Sequence, residues 1–146
     1  MARHILAAYK EDIDLRLHGG EPSKARGYVV NAHEIVPGVV YRDAAVTVEA
    51  FAVTHGAWRE SYGYRIVSHD GRTIVISGDT APSETIVEQC AGCDVLVHEV
   101  YSEAGFKGRP AEWQRYHSRY HTSTGELAAL ALRAKPKMLV LTHQLI

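Results

Sequence analysis

The sequence predicts an α/β chain, α+β in its detailed order: a mixed β-sheet with helices packed on one face. Three observations carry that expectation. Strand-like runs crowd the middle of the chain, and strand and helix patterns then alternate to its end. Such an order suits a sheet whose helices share a face. Finally, four apolar runs, Phe51–His55, Ile74–Asp79, Val95–Glu99 and Met138–His143, each end on a residue that binds metal or moves a proton.

Ile5, Leu6, Tyr9, Ile13 and Leu17 recur at helical spacing among charges, which predicts an amphipathic helix from Ile5 to Leu17. His18-Gly19-Gly20 breaks it, and Tyr28-Val29-Val30-Asn31 has strand character. Val39–Tyr41, Val46–Val53, Tyr62–Val67 and Thr73–Ile76 are rich in β-branched and aromatic residues and read as strands. An Asp-Gly turn within His69–Arg72 joins the last two as a hairpin. A helix over Ser83–Gln89, a strand over Asp94–Val100, a helix over Thr124–Ala134 and a strand over Lys137–Thr142 complete the order. The last two strands are nearly continuous apolar runs, as strands buried on both faces are.

With 146 residues, 46% hydrophobic and 23% charged, the chain has the make-up of one compact domain or a large part of one. A formal net charge of −1 offers no general Lys/Arg excess for gripping a phosphate backbone. No run reaches the roughly 18 apolar residues of a membrane span. Neither nucleic-acid nor membrane binding is therefore expected. Met1-Ala2-Arg3-His4 has no secretory signature, so a cytoplasmic location is the default.

Cys90 and Cys93 form a Cys-x-x-Cys pair, a spacing that suits redox or zinc chemistry. A helix C-terminus disfavours thiolates, and no second pair exists to complete a zinc site. The segment reads instead as a helix stop at Gly92.

Asp79 lies between Ser77-Gly78 and Thr80-Ala81-Pro82, a strand end, tight turn and helix start that bring its carboxylate to the sheet edge. A carboxylate there suits bridging two cations about 3.5 to 4 Å apart; capping the following helix is the plainer alternative. His55 and His143 also end strands. Singly each reads as an ordinary, partly exposed histidine, and together with Asp79 they point to metal. His121 lies just before a capping box, Ser123-Thr124-Gly125-Glu126. A helix N-terminus favours neutral imidazole and a nearby carboxylate favours the cation, opposed pushes that suit a general acid. A surface histidine beside a cap is the alternative. His98 faces away from Glu99 on a strand and stays outside the site.

Taken in order, Val53-Thr54-His55, Ser61–Arg65, Ile76–Thr80, Leu96–Glu99, Tyr120–Thr124 and Leu141-Thr142-His143 resemble the metallo-β-lactamase fold of metal-dependent hydrolases, most closely its ribonuclease Z and arylsulfatase-like branch. The resemblance implies the second half of an αββα sandwich. It also implies two zinc ions in a complete site, with His55 on the first, Asp79 bridging and His143 on the second. His121 would protonate the leaving oxygen, and Glu99 would orient it. The family's His-x-His-x-Asp-His motif, which by the resemblance supplies the remaining ligands, has no counterpart here. Residues 1–37 then read as a helical and mixed lead-in and 38–146 as the C-terminal half of the fold. Such a partial chain is expected to hold zinc weakly, or at one position only.

Phe106–Tyr120 is basic and aromatic. Arg109, Arg115 and Arg119 are its candidates for contacting an anionic substrate. Trp113, Tyr116 and Tyr120, spaced i, i+3 and i+7, suit the packed face of a short amphipathic helix. Ribonuclease Z enzymes carry a long arm that grips transfer RNA between the counterparts of His55 and Asp79, and the 24-position step here has no room for it. The sequence therefore predicts zinc-dependent hydrolysis of a phosphodiester, sulfate ester or other small ester by metal-activated water. The expected partner is a small anionic or ester substrate. One alternative is a catalytically silent domain that forms a homodimer or binds a partner through an open sheet edge. The other is an enzyme like the endonucleases that process the 3′ end of transfer RNA.

Overall fold

The computed structural model describes residues 2–20, 22–24 and 26–145. The chain forms two compact units, Met1–Glu34 and Ile35–Ile146.

In the first unit the expected helix is two, α1 (Ala2–Ala8) and α2 (Lys10–His18), separated at Tyr9. Helix α2 fully buries no residue; its i, i+4 pairs Lys10–Asp14 and Arg16–Asp12 are exposed and add little. The expected apolar face is only partly covered: Leu6, Ile13 and Leu17 are half-buried, while Ile5 and Tyr9 are exposed. Tyr28–Asn31 is not a strand. Val29 and Val30 have no ladder partner, and strand preference expresses itself only against a neighbouring strand.

The second unit holds one six-stranded sheet in sequence order: β1 (Gly38–Arg42), β2 (Val46–Ala52), β3 (Tyr62–Ser68), β4 (Thr73–Ile76), β5 (Val95–Tyr101) and β6 (Met138–Leu145). The first four are antiparallel neighbours, and β4, β5 and β6 are parallel. The sheet is thus mixed, as the order of patterns predicts. The β3–β4 hairpin closes on Gly71, whose φ of +84° suits the expected Asp-Gly turn.

Parallel neighbours need crossovers. Helix α3 (Glu84–Cys90) makes the first, and α4 (Glu103–Lys107), α5 (Ala111–Tyr120) and α6 (Thr124–Ala134) make the second. Helices α3 and α6 pack on each other and on β3–β5. The core between them and the sheet is Phe51, Val75, Ile86, Cys90, Cys93, Leu96, Leu130 and Ala134. Ile86 and Leu96 are fully buried, each contributing about 1.5 to 3 kcal/mol of hydrophobic stabilisation.

Two further expectations need correction. Cys90 and Cys93 are joined as a disulfide inside this core, so the pair set aside as a helix stop is a covalent staple. The turn out of α3 uses left-handed Ala91 (φ +38°) as well as Gly92 (φ +86°). Strand β6 is not buried on both faces. It lies at the sheet edge with only β5 beside it, and Met138, Leu139, Val140 and Leu141 are all exposed. An apolar run records hydrophobicity but not whether a covering layer is present. Strand β5, flanked by strands on both sides and covered by α6, does bury Leu96, His98, Glu99 and Val100.

Candidate metal centre

Strand register brings four C-terminal tips to one edge of the sheet. Ala52 of β2 pairs with Tyr62 at the start of β3, Tyr64 pairs with Ile76 at the end of β4, Ile76 with Val97, and Glu99 with Thr142. His55, Asp79, Glu99 and His143 follow from that register, each just past or at the end of its strand.

His143 is aimed by a break in the ladder. Glu99 pairs with Thr142 and Val100 with Gln144, leaving His143 as the extra residue of a bulge with φ +42°. A left-handed histidine costs about 1 to 2 kcal/mol, and bulges re-aim side chains at sites. Its Nε2 lies 3.5 Å from Asp79 Oδ2. Asp79 follows Gly78 (φ +64°), where a Cβ would come within 2.6 Å of the Tyr62 carbonyl. The Asp79 loop is tied to the tip of β2: Ala81 N–H donates to the Thr54 carbonyl at 2.7 Å and Thr80 Oγ1–H to the same oxygen at 3.1 Å. The cap of α3 is Ser83, which leaves the Asp79 carboxylate free of the capping role.

His55 donates from Nδ1 to the Tyr120 carbonyl, 2.8 Å away. That bond fixes the tautomer and leaves the Nε2 lone pair open. Gly56 donates to the Arg119 carbonyl at 3.2 Å, and the Tyr120 ring occupies the place of its missing Cβ, 2.0 Å away.

Glu99 is fully buried. Its Oε1 accepts from Thr80 N–H at 3.0 Å and Thr122 N–H at 3.3 Å, and lies 3.0 Å from His121 Nδ1. Its Oε2 has no protein partner. Burial pushes the carboxyl up to about 8, against the pull of the two backbone amides and with a smaller push from Asp79. Burial likewise pushes His121 down to about 4, helped by His55, His117 and His143 and opposed by Asp79. With Oε1 already accepting two amides, His121 donates from Nδ1 and presents its Nε2 lone pair to the cluster. The opposed pushes expected at His121 are therefore not balanced: desolvation dominates, because the carboxylate meant to favour the imidazolium is itself buried. The capping box around Ser123 and Glu126 is formed as expected.

One donor atom each from Asp79, His121 and His143 lies within 4.8 Å of the other two. His55 lies beside this trio, its ring centroid 5.2 Å from that of His121. Two imidazole nitrogens and a carboxylate oxygen are the donor set a borderline divalent cation such as zinc prefers, so the residues fit a metal. Arg115 and Arg119 line a groove on α5 with Tyr116 and Tyr120, whereas Arg109 lines a separate one with Trp113, His117 and Leu145. Trp113 and Tyr116 are about half exposed, so the aromatic face of α5 is not packed away as the amphipathic alternative requires. His98, buried with its Nδ1 2.6 Å from the Glu99 carbonyl, stays outside the cluster. Sequence reasoning missed Thr80, Thr122 and the Tyr120 carbonyl; their contributions are mostly backbone groups, which no residue type announces.

The family model of the beta-lactamase superfamily domain matches residues 4–144. The chain belongs to that family, and its fold class is that of the metallo-β-lactamase fold. It is 33% identical over 141 residues to ribonuclease Z of Mycobacterium sp. (strain KMS), covering 97% of this chain and 49% of that protein. Ribonuclease Z of Mycobacterium tuberculosis (strain H37Rv) is 33% identical over 114 residues, 78% of this chain and 41% of that protein. The chain thus spans about half the length of the curated relatives it matches. Human tRNase Z, short form, superposes with a TM-score of 0.57 at 27% identity, covering 74% of this chain and 40% of that one. A metallo-beta-lactamase fold protein of Bacillus subtilis superposes at 0.58 and 18% identity over 75% of this chain and 41% of that one, which speaks for the fold alone.

These relatives overturn the expected partners, a small anionic or ester substrate with no nucleic acid. Their names are those of ribonucleases acting on RNA. The expectation leaned on net charge, which averages over the surface and is blind to a local basic groove, and on a missing arm, which bears on one way of gripping RNA only. Among the described residues no helix is long and apolar enough to cross a membrane.

Proposed function

We propose that this chain carries part of the catalytic centre of a zinc-dependent phosphodiesterase that cleaves RNA. The observation that carries the reading is the buried Glu99–His121 pair opening onto the Asp79–His143 edge. Asp79, His143 and His55 would hold the metal. When bound, zinc supplies Lewis-acid polarisation of a phosphoryl oxygen and lowers the pKa of water.

The chain's own residues do the rest. Glu99 fixes the His121 ring through Nδ1, so that Nε2 faces the reacting edge. His121, once protonated there, gives its Nε2 proton to the leaving ribose oxygen. The metal-free protein holds this pair on the neutral side; the negative charge of a bound phosphate favours the protonated His121 this step needs, whereas a bound cation opposes it. Thr80 and Thr122 keep Glu99 in place through their amides.

The test is RNA cleavage by the protein that contains this chain, with zinc and with a chelator. Asp79→Ala should abolish zinc-dependent cleavage, and His121→Ala should lower it by about 100-fold or more, the usual worth of a general acid. Near-wild-type cleavage by Asp79→Ala, or cleavage indifferent to chelation, would sink the assignment.

A further inference from the structure

The side of α5 that leads away from His55 is built as a pile of rings. The Tyr120 ring meets His55 edge-on at 5.1 Å between centroids and stacks on Tyr116 at 4.4 Å with planes 20° apart. Trp113 stands edge-on to Tyr116 at 6.3 Å and is itself backed by His117 at 5.4 Å and 24°. The pile therefore has a fixed inner end, at the candidate metal centre, and a free outer end. Trp113 is 52% exposed and Tyr116 47%, an unfavourable arrangement for large aromatic rings unless something covers them.

Two hollows flank the outer end. One, of about 380 Å³, is lined by Glu112, Trp113 and Tyr116, a volume within the range of small-ligand sites. The other, of about 300 Å³, runs along Tyr116 and Tyr120 with Arg115, Arg119 and Glu112 on its walls. Arg115 and Arg119 are one helical turn apart and so share a side of α5, as do Tyr116 and Tyr120. The groove thus alternates cations with ring faces and carries one carboxylate, a net positive lining on a chain whose overall charge is −1.

Alternating aromatic faces and cations are what a single nucleic-acid strand meets in proteins that bind it, bases on rings and phosphates on Arg or Lys. We infer that α5 is a platform for single-stranded RNA next to the metal centre, where Tyr116 stacks a nucleobase, Trp113 flanks it, and Arg115 and Arg119 hold the adjoining phosphates. This rests on the RNA reading above, and it adds a binding element that does not need an arm between His55 and Asp79. The Tyr120–Tyr116 pile sets the direction: a base on Tyr116 leads its strand past Tyr120 toward His55. Guanidinium groups at i and i+4 follow the same line.

Binding can be separated from cleavage by working in a chelator. In the protein containing this chain, with Trp58→Phe to leave Trp113 as the fluorophore of this segment, oligouridylate is titrated against an abasic ribose-phosphate oligomer of equal length. Oligouridylate should quench Trp113 and bind tighter than the abasic strand. Tyr116→Ala should weaken oligouridylate about tenfold or more and leave the abasic strand unchanged, while Tyr116→Phe restores binding. The Arg115→Ala/Arg119→Ala pair should weaken both strands alike and flatten the salt dependence, by about 0.7 per lost phosphate contact. Equal affinity for the two strands, or Tyr116→Phe as weak as Tyr116→Ala, overturns the platform. If base-dependent binding holds while zinc-dependent cleavage is absent, the proposed activity fails and the platform stands; the reverse result removes the platform alone.

Discussion

At the scale of single residues, Glu99 and His121 set the behaviour of the centre, and their shifts oppose each other in pH. Glu99 has a folded pKa raised to about 8 by burial. Its contribution to stability is complete below the unfolded carboxyl value near 4.5 and is lost as pH rises toward 8. His121 is lowered to about 4. Its contribution is complete above the unfolded imidazole value near 6.5 and is lost as pH falls toward 4. From pH 4.5 to 6.5 the two trends cancel, and from 6.5 to 8 only the Glu99 loss remains. In a chelator, the wild-type chain should therefore lose up to about 2 kcal/mol of stability over that alkaline window. Glu99→Gln should be flat there. Urea unfolding at a series of pH values checks this, and an alkaline slope that survives Glu99→Gln would assign it to another group. Gly56→Ala tests the other contact of the cluster. Its Cβ would overlap the Tyr120 ring, and its φ is +55°, so a destabilisation of about 1 to 3 kcal/mol is expected, read from the urea midpoint.

At the scale of elements, the supports of the site lie in helix ends. The capping box of α6 holds the chain immediately after His121. Ser123→Ala should cost about 1 kcal/mol and lower cleavage, because the turn that presents His121 loses its anchor. The disulfide at the end of α3 closes a very short loop, so a chain-entropy account gives it only about 2 kcal/mol. A dithiol reductant should lower the urea midpoint by that amount, and Cys90→Ser/Cys93→Ser should be insensitive to the reductant. An unchanged midpoint for the wild type under reduction would show that packing of Cys90 and Cys93 in the core does the stabilising.

The elements also show what is legible in a sequence of this kind. All six strands and helices α3 and α6 carry local signals: β-branched runs, an Asp-Gly turn and a capping box. The strand tips at His55, Asp79, Glu99 and His143 are legible for the same reason, since each apolar run ends on a polar residue. What joins them is not local. The Tyr120 carbonyl meets His55 across 65 positions, Thr80 N–H meets Glu99 across 19, and the bulge that turns His143 exists only once β6 pairs with β5. The helix over Ile5–Leu17 forms in two pieces broken at Tyr9, and the strand at Tyr28–Asn31 fails because no neighbouring strand pairs with it among the described residues. The exposed face of β6 is the same lesson at a sheet edge.

At the scale of the whole molecule, the number of donors gathered among the described residues limits what this edge of the sheet can hold. The tight cluster offers three, from Asp79, His121 and His143, with His55 beside them. A zinc site wants four ligands, or three and a water. Using His121 as a ligand exhausts the cluster on one ion, and keeping it as an acid leaves His55, Asp79 and His143 to be divided between two. Neither distribution holds two ions tightly. The 146-residue chain alone should therefore retain at most one zinc per chain after desalting, measured by elemental analysis, and Asp79→Ala should retain none. His121→Ala separates the two distributions: unchanged zinc content keeps His121 as the acid, whereas loss of zinc makes it a ligand. Two ions retained per wild-type chain would mean that donors outside this edge of the sheet take part, and the division of roles at His55, Asp79, His121 and His143 would have to be redrawn.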